Sequence, residues 1–511
     1  MLKIYHRDSP PSASILEEAT NSTVVPFMPL FNNLIVFDPQ VAQNSERSIV
    51  PDLAESWRWN AEMTELTFKL GENVVWHDGV PFTARDVVCT FDLLADKGRE
   101  KLRRNPRKEW FRNVDFVDAR DTYEVTLYLT RPQPSILSML ASRFSPIYPC
   151  HVSPAQMRSR PIGTGPFKLA AFREFQSVSL VRNPDYWKKG RPYLDGIEFT
   201  ITNSPSTAIL SFAAGRFDMT FPWEVTPEDL TVVRRLAPAA RCETTAMNLN
   251  INLLINRTTR PFDNTDLRRA LMLGIDRAAF VEALGRDVAE IGGTMQPPEA
   301  GVWGLPADEL ADVPGYGADA EANRAEARAL MEKLGYGPHK WLTLKIVTRG
   351  IGTYTDAMPT LVSQLKEIYI DAKPEIVETS RWFTRLARKD YAVALNATGN
   401  GVDDPDQTLY ENFACGSARN YTGYCNREIE KLFDAQSAET DLHKRRQLVH
   451  EIDGRLLADG ARPPIVWKLG TTCMQPQVKG YESMVNSIYN GFRFEEVWLD
   501  RAQARRSQRT F

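Results

Sequence analysis

From residue 246 to 256 the chain alternates: Met247, Leu249, Ile251, Leu253 and Ile255 take one set of positions, and Asn248, Asn250 and Asn252 the other. A period of two puts successive side chains on opposite faces of a strand, so the stretch predicts a strand with one apolar and one polar face. The same period runs through Leu66, Phe68 and Leu70, through Val125, Leu127 and Leu129, and through Ile197, Phe199 and Ile201. Residues 1–5, Leu342 to Val347 and Tyr391 to Leu395 also read as strands.

Elsewhere the period lengthens to that of a helix. Thr83 with Asp86 three positions on forms a capping box ahead of Val87, Phe91 and Leu94, which share one helical face. Asn264 or Thr265 caps a helix that buries Leu267, Ala270 and Leu271, and Ile275-Asp276-Arg277 opens another that stops at Gly285. A helical stretch covers about Asp356 to Ile368. Asn426 caps a helix with Ile429, Leu432 and Phe433 inward, and Leu448, Ile452 and Leu456 mark one ending at Gly460. Strand and helix alternate, which makes the class α/β. No repeat and no low-complexity linker divides the chain, so the lobes are expected to be crossed more than once.

Length sets the number of lobes: 511 residues exceed a single core at about 150 residues per domain. With 43% apolar residues, 25% charged ones and a net charge of −3, composition makes no case for nucleic acid or for an acidic membrane surface. Arg501, Arg505, Arg506 and Arg509 read as a solvated basic tail. No apolar run reaches the length of a bilayer span. The first residues already form a strand, so the chain is either cytosolic or a mature form whose leader has been removed.

The six cysteines contain no Cys-x-x-Cys, which leaves zinc and thioredoxin chemistry without a spacing. Cys415 and Cys425, ten positions apart in a segment rich in Gly, Asn and Tyr, are expected to pair in an oxidising compartment, the other reading being two unrelated thiols. Cys89, on an apolar helix face, reads as a small buried hydrophobe, and the disulfide states of Cys89, Cys150, Cys242 and Cys473 stay open. His77-Asp78-Gly79 lacks a partner nucleophile and reads as a turn. The chain has no Gly-x-Ser-x-Gly, no His-Glu-x-x-His and no phosphate loop, and its histidines lack metal-ligand spacing. No catalytic residue, metal or cofactor is therefore expected.

Ile162-Gly163-Thr164-Gly165-Pro166-Phe167 is a tight turn into a strand, followed by Asn183-Pro184-Asp185-Tyr186-Trp187 and by Pro192-Tyr193-Leu194-Asp195-Gly196-Ile197-Glu198-Phe199. With Trp76-His77-Asp78-Gly79 through Val87 and the strand and helix pair after 246, that order resembles the peptide/nickel-type family of extracytoplasmic solute-binding proteins, from about Ser48 to Val497. The resemblance implies a two-lobed periplasmic binding protein fold (type II, cluster C) with a hinge. The first lobe would comprise residues 1–39, 162–245 and 474–511, an extra subdomain 40–161, and the second lobe 246–473. It implies a monomeric periplasmic receptor that closes on a small molecule and delivers it to the permease subunits of a bacterial ABC importer, making and breaking no bond.

By the same resemblance Arg349 matches an arginine that receives a ligand carboxylate in dipeptide-binding members, the other reading being a surface arginine after a strand. Trp382 matches an aromatic residue that lines the cleft, or else packs the lobe. Asp403-Asp404-Pro405-Asp406 resembles the family's Asp-Pro-Asp turn, so Asn400, Gly401, Asp403 and Asp404 are candidate ligand contacts, or else the cluster caps a helix. Peptide-binding members place an aspartate for the α-amino group where Gly401 stands. A peptide-like ligand is thus joined by a non-peptide solute, such as a sugar, an opine-like compound or an aromatic acid. A lobed-cleft hydrolase using Asp403 and Asp406, and a sensory receptor without transport, are the alternatives from other classes.

Overall fold

The computed structural model describes residues 1–18, 20–487, 490–500 and 502. The expected basic tail, Arg501, Arg505, Arg506 and Arg509, lies outside the described residues. The chain forms two compact units, Met1–Thr245 with Gly470–Phe511, and Ala246–Leu469. Among the described residues no helix is long and apolar enough to cross a membrane.

In chain order the first unit contains strands β1 (Leu2–His6), β2 (Ala54–Trp59) and β3 (Glu65–Leu70), helix α1 (Ala84–Leu94), and strands β4 (Val114–Ala119), β5 (Glu124–Leu129), β6 (Phe167–Arg173), β7 (Ser177–Arg182) and β8 (Gly196–Ile201). They build two four-stranded sheets, ordered β1-β8-β7-β6 and β2-β3-β5-β4. Only β1 runs parallel to its neighbour, β8; the other neighbours in these two sheets are antiparallel. Leu66, Phe68 and Leu70 of β3 are fully buried, as their alternation predicts. The second sheet and α1 fall within residues 40–161.

Helix α1 starts as its capping box requires, with Thr83 N–H donating to Asp86 Oδ2 at 3.0 Å. Cys89 corrects the expectation made for it. It is half-buried and bonded to Cys150, whose N–H donates to Asp86 Oδ1 at 2.9 Å, so α1 holds the 150 loop where the two sulfurs meet. Cys242 pairs with Cys473, 231 positions away, and the expected Cys415–Cys425 bridge is present.

The turn at Gly163 has a steric reason. A Cβ there would lie 1.8 Å from the Leu30 carbonyl oxygen, and Gly165 N–H donates to that same oxygen at 2.9 Å. His77 braces the turn from the other side: its Nδ1 accepts from Gly163 N–H at 3.2 Å, so Nε2 carries the proton and donates to the Gly165 carbonyl at 3.1 Å. Burial pushes this ring down to about 4, which keeps it neutral. His77-Asp78-Gly79 is thus a structural turn, with Gly79 at φ 87°.

A buried charge network closes the unit around Asp52. Arg493 donates to both of its oxygens at 2.8 Å, and Lys188 bridges Asp52 at 2.9 Å and Glu495 at 3.1 Å. Burial works to raise Asp52, but Arg493 and Lys188 override it and hold the carboxyl well below the ordinary range. Tyr186, from the Tyr-Trp pair of the sequence motif, donates to Glu495 at 2.5 Å.

The second unit is built on one sheet. Its main elements are β9 (Arg241–Ile255, which begins in the first unit), α2 (Thr265–Leu273), α3 (Arg277–Leu284), β10 (Ala289–Glu290), α4 (Ala320–Lys333), β11 (Leu342–Arg349), α5 (Met358–Lys366), β12 (Ile370–Val377), α6 (Thr379–Ala387), β13 (Val393–Gly399), α7 (Pro405–Asn412), α8 (Arg427–Ala438), α9 (Leu442–Ala458) and β14 (Pro464–Met474, which ends in the first unit). The strand order is β10-β14-β9-β13-β11-β12. Asn264 caps α2, Asp276 caps α3 and Asn426 caps α8. The helix expected over about 356–368 is α5, Met358–Lys366, with Pro359 in its first turn, where its missing N–H costs nothing; a separate short turn at Gly352–Thr355 precedes it.

Candidate functional site

Strands β9 and β13 pair antiparallel with Asn250 opposite Thr398 and Asn252 opposite Asn396. These polar positions share one face, as a period of two requires. The face is not solvated. Asn248, Asn250 and Asn252 are 1%, 6% and 1% exposed, and Asn396, Thr398 and Asn400 are buried with them. Burial of so many amides is tolerated because they satisfy one another. Asn252 Nδ2 donates to Asn250 Oδ1 at 2.6 Å and to Thr398 Oγ1 at 2.8 Å, and Asn396 Nδ2 donates to Asn252 Oδ1 at 3.2 Å. Asn400 N–H donates to the Asn248 carbonyl at 2.9 Å, while its side-chain Oδ1 is buried without a partner.

Arg462 reaches into this ladder from the segment just ahead of β14. It donates to Asn252 Oδ1 at 3.1 Å, Thr398 Oγ1 at 2.6 Å and Asn412 Oδ1 at 2.6 Å. Burial first, and the Arg419 guanidinium second, draw Arg462 down to about 10, so it remains a cation at neutral pH. A small polar cavity opens beside it, lined by Asn250, Thr398, Asn400, Thr408, Asn412 and Arg462, among others. The loop at its rim is pinned by Asp453, which accepts from the N–H of Thr294 at 2.8 Å and which burial pushes up to about 6.

The sequence-predicted residues fall into two groups. Arg349 ends β11 and is 2% exposed; its Nε donates to Thr379 Oγ1 at 2.9 Å, at the start of α6. Its guanidinium lies 5.5 Å from the Tyr354 ring centre and 5.8 Å from that of Phe383. Trp382 meets Tyr354 edge-on at 5.9 Å, is fully buried, and leaves its indole N–H without a partner. Arg349 and Trp382 thus share an aromatic-walled corner.

Asn400 and the buried Gly401 follow β13 directly, with Asp403 and Asp404 just beyond. Asp403 Oδ2 accepts from Val302 N–H at 2.8 Å, and its carbonyl accepts from the Trp303 indole at 3.0 Å. Asp404 caps α7 by accepting from Asp406 N–H at 2.9 Å, and pairs with Arg445 at 2.8 and 3.1 Å. Burial raises Asp404 to about 6 against the pull of Arg445. The acidic cluster is therefore built into a helix cap and a loop tie.

Arg462, Asn412 and Thr398 were not singled out from the sequence. The available signal was a lone arginine between Gly460, which ends a helix, and the apolar run Ile465-Val466-Trp467.

Residues 48–420 match the family profile described as bacterial extracellular solute-binding proteins, family 5 middle. A di/tripeptide-binding protein of Pseudomonas aeruginosa is 25% identical over 501 residues, covering 92% of this chain and 90% of the relative. Among solved structures, a periplasmic binding protein associated with an ABC transporter of Helicobacter pylori, in complex with the peptide STSA, superposes with a TM-score of 0.86 at 20% identity, covering 98% of both chains. A periplasmic binding protein of A. tumefaciens R10 in complex with mannopinic acid superposes with a TM-score of 0.82 at 22% identity, covering 98% of this chain and 99% of the other. The shared fold is the two-lobed α/β fold of such proteins.

Proposed function

The chain belongs to family 5 of the bacterial extracellular solute-binding proteins, the receptors of ABC importers, and from that premise we propose that its solute is a small organic molecule that carries an acidic group and needs no ammonium group. It is a binding protein that delivers its ligand to a permease, and not an enzyme. The observation that carries the ligand assignment is the fate of the acidic cluster. Gly401 has no side chain to offer, Asp403 holds the 302–303 loop, and Asp404 is paired with Arg445. An α-ammonium group would find its customary carboxylate engaged elsewhere, whereas Arg349, Asn400 and Arg462 offer donors and amides suited to carboxylates and hydroxyls.

The mannopinic acid complex of a protein with this fold supports an opine-like acid as one such solute. A second reading, a di- or tripeptide, is favoured by the Pseudomonas relative and by Arg349 beside the aromatic corner of Tyr354, Trp382 and Phe383. In either case Arg349 and Trp382 bind the solute, Asn400 and Gly401 line its path, and Asp403 and Asp404 support the site from behind. The receptor works as a periplasmic monomer, a placement that fits its disulfides at Cys89–Cys150, Cys242–Cys473 and Cys415–Cys425.

Native mass spectrometry of protein purified from its host tests the assignment. The expected result is a stoichiometric small molecule, released unmodified on denaturation, that contains a carboxylate. A released solute that bears an ammonium group and no acid overturns the ligand assignment and leaves the family membership untouched.

A further inference from the structure

Arg462 is a buried cation whose hydrogen-bond partners are all neutral. Its guanidinium carries five N–H groups, of which one on each nitrogen is donated, to Asn252, Asn412 and Thr398. One N–H remains on each terminal nitrogen. Among the described residues no carboxylate oxygen pairs with Arg462; Glu411, the acid in its electrostatic surroundings, pairs instead with Arg419. A buried charge without a counter-ion is costly, and so is the unpartnered Asn400 Oδ1, which is 3% exposed and lines the same cavity. A water molecule in the cavity would satisfy hydrogen bonds and leave the charge uncompensated. The cavity holds about 10 Å³, close to one water, so only the end of a solute can enter and a whole carboxylate needs the walls to move apart.

We propose that this cavity is the acid-binding subsite of the receptor: the two remaining N–H groups of Arg462 hold a carboxylate at one end of the solute, and Asn400 Oδ1 accepts from a hydroxyl or amide N–H next to that carboxylate. The subsite rests on the reading of the chain as a receptor for an acidic solute, and it adds a residue and a position that the resemblance does not supply. The solute brings the missing negative charge to a site already furnished with donors, and the cavity walls part to admit it. The class of solute is an acid with a hydrogen-bond donor on the neighbouring carbon or bond. An α-hydroxy acid and the C-terminal residue of a peptide, whose own amide N–H is such a donor, both fit this description.

The test uses glycolate and glycolamide, which differ only in carboxylate against amide, at constant ionic strength. Glycolate is expected to raise the melting temperature of the full-length protein saturably and to bind at least tenfold more tightly than glycolamide. Arg462→Gln, which keeps neutral hydrogen bonding and removes the charge, is expected to abolish that preference; Arg462→Lys is expected to retain it. Equal responses to the two compounds in the wild type, or a preference that persists in Arg462→Gln, overturns the subsite. Should the Gln variant not fold, the Arg462 Nε–H resonance of the wild type decides: it moves with glycolate and not with glycolamide, and a stationary resonance overturns the proposal. Gluconate against glucose, and Ala-Ala against its C-terminal amide, separate a sugar acid from a peptide terminus. A protein that retains a host solute yet shows no preference for glycolate loses the subsite and keeps the receptor reading; one that retains no acidic solute and shows no preference loses both.

Discussion

Asp404 takes both terminal nitrogens of Arg445, at 2.8 and 3.1 Å, with both side chains buried and the carboxylate also capping α7. Removing Asp404 leaves Arg445 with the longer pair to Asp406 at 3.7 Å, and breaking a buried pair is worth about 3 kcal/mol or more. Asp404→Asn is therefore expected to lower stability in urea by about that amount, while Asp404→Asn combined with Arg445→Met recovers part of the loss. Strict additivity in the double variant would show that the two side chains do not depend on one another.

His77 predicts a pH dependence. Burial lowers its folded-state value from 6.5 to about 4, so between those limits the unfolded chain binds a proton that the folded chain does not. Its contribution is full above about pH 6.5 and lost as pH falls toward 4. Urea midpoints measured across that window for wild type and His77→Gln are expected to converge on the acidic side. A constant gap between the two curves would mean that His77 does not titrate with unfolding.

Gly163 and Gly79 are expected to respond differently to alanine. At Gly163 the added Cβ meets a main-chain oxygen at 1.8 Å, so Leu30 must move and the cost is about 3 kcal/mol or more. At Gly79 nothing lies within 4 Å, and only the positive φ of 87° opposes the substitution, at about 1 kcal/mol. Denaturation of the two single variants gives the order directly; a milder effect at Gly163 would contradict the close approach to Leu30.

The three disulfides differ in the loops they close. Chain entropy gives about 5 kcal/mol for the 231-residue separation of Cys242 and Cys473 and about 3 kcal/mol for the ten-residue separation of Cys415 and Cys425. Paired Cys→Ser variants are expected to lose stability in that order, measured on otherwise oxidised protein. The reverse order would assign the effect to native contacts around Cys415 and Cys425.

Local signals in the sequence located most elements and fewer of the contacts. The capping box at Thr83, the asparagine caps at 264 and 426 and the alternation through β3, β8 and β9 act within a few residues, and each fixed its element. Strand β12 was invisible because Pro374 interrupts it, which an edge strand tolerates. Strand β13 starts at Val393 and runs on to Gly399, past the expected end at Leu395, because Asn396 and Thr398 read as the end of an apolar run. The alternating asparagines of β9 were legible as a polar face, but that face is covered by α7 residues and by Arg462, brought from distant parts of the chain. For the same reason Cys89 did not announce Cys150, and nothing near Arg462 in sequence reveals its neutral partners.

The Cys242–Cys473 bridge joins the strand that leaves the first unit to the strand that returns to it. A protease that cuts once anywhere between these cysteines produces two polypeptides, yet the sulfur link still ties the amino-terminal piece to the carboxy-terminal one. On a non-reducing gel a singly nicked molecule should migrate near the intact mass, and only added thiol should release the fragments. The whole of Ala246–Leu469 lies inside that covalent ring, so damage there need not divide the molecule.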